Sequence, residues 1–141
     1  HIKLPNITGN GLPATLSEEI LTGVLRNELK HEKLIITDAM EMKAISSYWS
    51  SAEAAVMAFK AGADIILMPE SLEEAYNGIL EAVKNGEITE ERLNESLKRI
   101  FTVKLERNIL GNNESSVDPE NILGKQEHLD IVEKIKQKAE E

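Results

Sequence analysis

The sequence predicts an α/β fold built around a short parallel sheet. Two short runs, residues 34–37 and 63–68, are apolar at nearly every position instead of at every second one. Such runs are typical of parallel strands that are buried on both faces. Each run is followed by a segment whose apolar residues have helical spacing, so the two strand-helix units indicate a βαβ connection.

Composition limits the function classes. The chain has 141 residues, of which 41% are apolar, and no run approaches the roughly 18 apolar residues of a membrane-spanning helix. The absence of cysteine excludes disulfides, thiolate zinc sites and cysteine nucleophiles. The formal net charge is −9 and basic residues are dispersed among acidic ones, which argues against a nucleic-acid partner. None of these observations identifies a compartment.

The N-terminal third is predicted to be a loop followed by a helix. Residues 1–16 are rich in proline, glycine and asparagine, with at most a strand end at residues 1–4. Thr15 and Glu18 fit a capping box, for which Ser17 is a competing cap. The apolar face of the following helix is formed by Ile20, Leu21, Val24, Leu25 and Leu29.

After the loop that follows the first run, three more helices are predicted up to about residue 108 from capping residues and apolar periodicity. They are an alanine-rich helix that begins after a capping box of Ser50 and Glu53 and ends at Gly62, one capped by Ser71 and one capped by Thr89. Residues 111–116 have the composition of a linker, and residues 129–139 predict a final helix. The apolar face of the third helix is predicted to be Leu93, Leu97, Ile100, Phe101, Val103 and Leu105.

Two strands are too few for an independent parallel sheet. The chain is therefore expected either to pair with another copy or to be one part of a larger fold. A complete eight-stranded α/β barrel takes roughly 250 residues, so we favour the second interpretation.

Asp38 is the strongest candidate for chemistry. It directly follows the first apolar run, at the strand end where α/β folds place their ligands. The alternative is an aspartate that caps the loop after the strand. Met40 and Met42 follow, with Tyr48 and Trp49 further on, and either line a ligand site or pack in the core. Asp64 begins the second run, at the opposite end, and is expected to be structural.

Three segments resemble family 3 glycoside hydrolases of the β-N-acetylhexosaminidase type. They are GLPATLS at residues 11–17, LRNEL at residues 25–29 and LIITDAMEM at residues 34–42. The resemblance covers most of residues 1–110. It implies a partial (β/α)8 TIM barrel, consisting of the last strands and helices, with a C-terminal helical extension. The domains it implies are the C-terminal part of the barrel at residues 1–111, a linker at residues 112–127 and the first helix of a truncated second domain at residues 128–141.

The resemblance also implies an activity. The chain would be the C-terminal fragment of a retaining, exo-acting β-N-acetylhexosaminidase that hydrolyses terminal N-acetylglucosamine from cell-wall or chitin-type saccharides, without metal or organic cofactor. Asp38 matches the family's nucleophile, and substrate contacts are implied for His1, Met40 and Met42. The family's β-glucosidases usually carry tryptophan after the aspartate, so Ala39 favours the hexosaminidase branch. The alternatives are a β-glucosidase and a non-catalytic α/β interaction domain.

The resemblance is incomplete in one respect that matters for catalysis. The family's Lys-His motif and the loop with its acid/base His-Asp pair lie upstream, and this sequence has no counterpart of either. We therefore expect the chain alone to be inactive. Because its strands would normally be flanked by others, we also expect it to associate with itself. The expected substrate is a carbohydrate. We expect neither a nucleic-acid partner nor a membrane-spanning segment.

Overall fold

A computed structural model describes residues 1–8, 11–110 and 121–139. The chain divides into two compact units, His1–Arg107 and Asn108–Glu141. The first unit holds the apolar core and all of the candidate site residues.

The first unit begins with short turns that are held together by backbone contacts. Helix α1 (Pro5–Thr8) is a single turn and is followed by a 3-10 helix, Ala14–Leu16. One isolated antiparallel bridge pairs Lys3 with Pro13. The Ala14 N–H also donates a hydrogen bond to the Ile2 carbonyl at 2.8 Å, so the two ends of this segment lie side by side.

The helix predicted after these turns is present, but it is a π-helix, Glu19–Glu28, and not an α-helix. The Leu29 N–H donates to the carbonyl of Val24, five residues back, at 2.9 Å. The residue directly before the π-helix is Glu18, which makes no capping hydrogen bond with its side chain; of the two predicted caps, Ser17 contacts the first turn, because its hydroxyl accepts the Ile20 N–H at 3.3 Å.

The two apolar runs lie beside each other in parallel, yet the prediction of two strands is wrong. They form one isolated bridge, between Ile36 and Ile65. The Asp64 N–H donates to the Ile35 carbonyl at 2.8 Å, and the Thr37 N–H donates to the Ile65 carbonyl at 3.1 Å. A parallel strand is stabilised by neighbours on both sides. Within the described residues each run pairs only with the other, and the ladder does not extend.

Helices make up most of the rest of the first unit. Helix α2 (Lys43–Ser46) is a single turn inside the predicted loop, and α3 (Ser51–Ala61), α4 (Leu72–Lys84) and α5 (Glu90–Glu106) follow. The capping box at the start of α3 is confirmed, because the Ser50 hydroxyl accepts the Glu53 N–H and the Glu53 carboxylate accepts the Ser50 N–H. The predicted caps of α4 and α5 are confirmed as well.

Helices α3 and α4 approach each other closely because both present small residues. A Cβ atom added at Gly78 of α4 would lie only 2.8 Å from the Cβ of Ala52 in α3. At its end α3 stops at Gly62, whose φ of 128° is a left-handed conformation that favours glycine. The larger cluster of buried apolar residues is formed by Leu16, Leu21, Ile35, Met40, Ile45, Ala54, Ala58, Ala61 and Ala63. A second cluster joins Phe59 of α3, Ala82 of α4 and Ile88.

The second unit contains helix α6 (Gln126–Ala139), which confirms the helix predicted at residues 129–139. The predicted linker at residues 111–116 lies outside the described residues. In the described part of the chain no helix combines the length and the apolar character that crossing a membrane requires.

Candidate active site

Asp38 lies on the surface at the carboxyl end of the first apolar run. Its side chain is 61% exposed. Oδ1 accepts a hydrogen bond from the Ala39 N–H at 2.8 Å, and Oδ2 is 3.9 Å from the backbone nitrogen of His1. The preceding residue, Thr37, is buried, and its hydroxyl oxygen accepts the Leu67 N–H at 2.9 Å. The exposed carboxylate of Asp38 thus directly follows a residue that is buried and hydrogen-bonded.

The loop after Asp38 stays attached to the second apolar run. The Met40 N–H donates to the Leu67 carbonyl and the Glu41 N–H to the Met68 carbonyl, each at 2.9 Å. Met68 itself has a φ of 45°, which non-glycine residues rarely adopt. The loop is therefore fixed by backbone hydrogen bonds on the side that faces this run.

The two methionines of this loop have different surroundings. Met42 is 44% exposed and is available to a ligand. Met40 is only 3% exposed and packs in the core with Leu16 and Ile45. The family resemblance implies that both methionines contact substrate, and the residues alone leave core packing open. The structure places the Met40 side chain in the core and away from the free surface.

His1 is held by both of its ring nitrogens. Nε2 lies 2.9 Å from the Ala39 carbonyl oxygen and Nδ1 lies 2.9 Å from the Thr15 hydroxyl. The side chain has 0% exposure. Neither ring nitrogen of His1 is therefore free for the predicted substrate contact in this structure. The ring instead contacts Ala39, the residue that follows Asp38.

Aromatic side chains lie at the end of the same loop. The exposed Tyr48 ring stands 5.6 Å from the ring centre of Trp49, and the Lys3 ammonium is 5.6 Å from the centre of the Tyr48 ring. Trp49 itself packs against the core, so Tyr48 is the ring of this pair that presents more surface.

The opposite end of the second apolar run carries a buried ion cluster around Asp64. Its Oδ2 accepts hydrogen bonds from Arg26 at 2.6 Å and from the Ile35 N–H at 3.0 Å. Its Oδ1 accepts hydrogen bonds from Ser96 at 2.6 Å and Arg99 at 3.0 Å, and Arg92 lies 3.6 Å away. Burial raises the pKa of Asp64, but the hydrogen bonds from Ser96 and Ile35 and the positive charges of Arg26 and Arg99 outweigh it and lower this pKa below its ordinary value.

Sequence reasoning missed the basic partners of Asp64. One signal for them exists: Arg92, Ser96 and Arg99 are spaced by four and three residues, which places them on one face of α5. A cavity of about 520 Å³ lies beside this cluster, lined in part by Arg26 and Arg99, and not beside Asp38. Among the described residues no group of three or more histidine, aspartate or glutamate side chains is arranged to hold a metal ion.

Known proteins resemble this chain in both sequence and structure. Residues 1–103 match the family described as "Glycosyl hydrolase family 3 N terminal domain". A β-hexosaminidase A from Pseudoalteromonas piscicida is 32% identical over 113 residues, which are 72% of this chain and 19% of that protein. A β-N-acetylglucosaminidase/β-glucosidase from Cellulomonas fimi is 31% identical over 93 residues, which are 66% of this chain and 16% of that protein.

A solved structure, the glycoside hydrolase family 3 β-N-acetylglucosaminidase from Paenibacillus sp. str. FPU-7, superposes with a TM-score of 0.81 at 36% identity. The superposition covers 93% of this chain and 26% of that one. The chain thus spans less than a fifth of the two curated relatives and about a quarter of this structure. Because the family match extends over residues 1–103 of 141, the chain belongs to glycosyl hydrolase family 3.

Proposed function

We propose that this chain is the C-terminal part of the (β/α)8 barrel of a retaining, exo-acting β-N-acetylhexosaminidase. The substrate class is terminal N-acetylglucosamine on cell-wall or chitin-type saccharides. Family membership and the relatives named for N-acetylglucosaminidase or hexosaminidase activity support this proposal. The observation that carries it is the exposed carboxylate of Asp38 at the carboxyl end of the paired apolar runs.

In this proposal Asp38 is the nucleophile. One of its carboxylate oxygens attacks the anomeric carbon, and the bond from that carbon to the leaving-group oxygen breaks. The leaving oxygen takes a proton from an acid that the longer protein supplies. Water then hydrolyses the glycosyl ester, and two successive inversions leave the configuration unchanged. Met42, at the surface of the same loop, is the methionine we retain as a sugar contact.

The domain assignment is part of the same proposal. Residues 1–111 would belong to the barrel, residues 112–127 to a linker and residues 128–141 to the first helix of a second domain. The division of the chain into two compact units near residue 107 supports this assignment.

A β-glucosidase is the second candidate function. The relative from Cellulomonas fimi, whose name includes both activities, supports it. Ala39 supports the first candidate, because the family's β-glucosidases usually have tryptophan at that position. A non-catalytic interaction domain is the third possibility, and a catalytically active parent protein would exclude it.

The test uses the full-length protein that contains this chain and compares Asp38→Ala with Glu41→Ala, a neighbouring exposed acid. We expect Asp38→Ala to lower the hydrolysis of p-nitrophenyl N-acetyl-β-glucosaminide at least about 1,000-fold, because no second nucleophile replaces it. Glu41→Ala should stay near the parent rate. A fluorosugar that traps the glycosyl-enzyme should label the peptide containing Asp38, at that residue.

Two outcomes would change the assignment. Parent-like turnover of Asp38→Ala, or labelling at Glu41, would show that Asp38 is not the nucleophile. Faster hydrolysis of p-nitrophenyl β-glucoside than of the N-acetylglucosaminide by the parent protein would favour the second candidate.

A further inference from the structure

We propose that His1 is a positioning residue for Asp38, which acts through the backbone of Ala39 and does not contact the sugar. The inference rests on the proposed function, because it assigns a role toward the nucleophile of that reaction. Its starting observation is that the His1 ring contacts the residue directly after Asp38.

The hydrogen bonds hold Ala39 from both sides. Its carbonyl oxygen lies 2.9 Å from His1 Nε2, and its N–H donates to Asp38 Oδ1 at 2.8 Å. A shift of the Ala39 backbone would therefore move the N–H that fixes one carboxylate oxygen. A misplacement of reacting groups by about 1 Å can lower the rate of reaction about 100-fold.

The partners of the imidazole also determine its hydrogen positions. A carbonyl oxygen can only accept, so Nε2 carries the proton. In a neutral ring Nδ1 is then an acceptor, and the Thr15 hydroxyl is placed to donate to it. The Ala39 carbonyl thus fixes the tautomer, and the Thr15 hydroxyl holds the ring in the orientation that the bond to Ala39 needs.

The segment that contains Thr15 is attached to the first residues of the chain by contacts that do not involve the His1 ring. Thr15 lies in the 3-10 helix Ala14–Leu16, whose start is joined to the first residues by the Lys3–Pro13 bridge and by the hydrogen bond from the Ala14 N–H to the Ile2 carbonyl. His1 and Thr15 therefore come from two segments that are attached to each other independently of the ring. The ring links this pair of segments to the Asp38 loop.

Burial separates a positioning role from a substrate contact. The His1 side chain has no exposed surface and both ring nitrogens have partners, whereas Asp38 is largely exposed. A sugar that reaches Asp38 would therefore meet the Asp38 carboxylate without touching the imidazole.

The experiment compares His1→Gln with His1→Asn in the full-length protein. The glutamine side-chain amide reaches about as far as Nε2, so it retains a donor for the Ala39 carbonyl, while the shorter asparagine does not. We expect His1→Asn to slow formation of the glycosyl-enzyme about 100-fold, and His1→Gln to stay within about tenfold of the parent. The dissociation constant for the product N-acetylglucosamine should be unchanged in both variants.

A second pair of variants, Thr15→Val and Thr15→Ser, tests the inference if His1→Asn fails to fold. Thr15→Val removes the partner of Nδ1 and should slow the same step about tenfold, because the ring loses its fixed orientation, whereas Thr15→Ser keeps the hydroxyl and the rate. Parent-like rates in His1→Asn, or in Thr15→Val where only that variant folds, would overturn the inference. Weaker product binding at an unchanged glycosylation rate would overturn it too, since that result identifies a substrate contact. With either result the fluorosugar would still label the parent protein at Asp38. Absence of that label in the parent would overturn the proposed function itself.

Discussion

Asp38 and Asp64 carry the same side chain, and their surroundings give the two carboxylates different roles. Asp38 is exposed and accepts a hydrogen bond from within its own loop. Asp64 is buried and is contacted by three guanidinium groups, those of Arg26, Arg92 and Arg99. A buried carboxylate of this kind is stable only while its partners are present, because an unpaired buried charge is strongly unfavourable.

We predict that Asp64→Asn lowers the free energy of unfolding by about 3–5 kcal/mol, because it leaves the arginines around it without their shared anion. The matched control is Glu32→Gln, which removes an exposed acid and should change the free energy of unfolding by less than about 0.5 kcal/mol. Urea unfolding of the purified chain at neutral pH measures both values. Equal stabilities of the two variants would show that the cluster contributes little.

The pH dependence of stability has a defined sign. Asp64 has a folded-state pKa below its ordinary value of 3.8, so its contribution is fully present above that pH. The free energy of unfolding should fall as the pH drops below 3.8 and Asp64 becomes protonated in the folded state. Asp64→Asn should show a shallower decline over the same range.

The sequence predicts the position of Asp38 at the carboxyl end of the first apolar run, but it does not predict the basic partners of Asp64. The position of Asp38 follows from a local pattern, an apolar run that ends on an acid. The side-chain partners of Asp64 come from the π-helix and from α5, and the His1 ring contacts Thr15 of the 3-10 helix and Ala39 of the Asp38 loop. Contacts between residues that are far apart in the chain produce no recognisable pattern in a single sequence. The one exception is the helical spacing of Arg92, Ser96 and Arg99, which share one face of α5.

The helices were predicted well because their caps are local signals. The hydroxyls of Ser50, Ser71 and Thr89 accept the backbone N–H groups that their positions indicate. The apolar face predicted for α5 was less accurate: Leu97, Phe101 and Leu105 are exposed, whereas Ser96 is buried against Asp64. Periodicity alone identified the π-helix as a helix but did not indicate its hydrogen-bond spacing, which depends on backbone geometry.

Two glycine substitutions should have opposite effects on stability. Gly78→Ala should lower the free energy of unfolding by about 1–3 kcal/mol, because the new methyl group would overlap Ala52 of α3. Gly23→Ala should raise it by about 0.5–1 kcal/mol, because the π-helix has room there and alanine loses less backbone entropy. Urea unfolding of the two variants side by side measures both effects. A stabilised Gly78→Ala variant would mean that the two helices separate easily.

At the scale of the whole molecule, the two apolar runs account for both the correct and the incorrect part of the fold prediction. Their parallel direction was correct, and their classification as strands was not. A ladder depends on neighbours that the pattern within one run cannot supply. Apolar side chains of the paired runs, including Ile36, Leu67 and Met68, remain exposed in this chain.

We predict that the isolated chain associates with itself at micromolar concentration through these runs, since their exposed apolar surface and unpaired backbone groups favour pairing with another copy. Ile36→Lys, which places a charge on a residue that is 53% exposed, should shift the chain toward monomer. The control is Ile109→Lys, which changes an exposed apolar residue of the other unit. Sedimentation velocity distinguishes the species, and a monomeric parent chain would contradict the prediction.

The backbone hydrogen bonds that attach the Asp38 loop to residues 67 and 68 have an evolutionary consequence. The Leu67 and Met68 carbonyls accept the loop's N–H groups, so the attachment at residue 67 does not depend on its side chain, whereas the positive φ of Met68 restricts which residues can replace it. Both side chains are exposed next to the candidate site. Substitutions at residue 67 can therefore accumulate and alter what the surface accepts while the carboxylate keeps its position, so this part of the protein can diverge in specificity before it loses its chemistry.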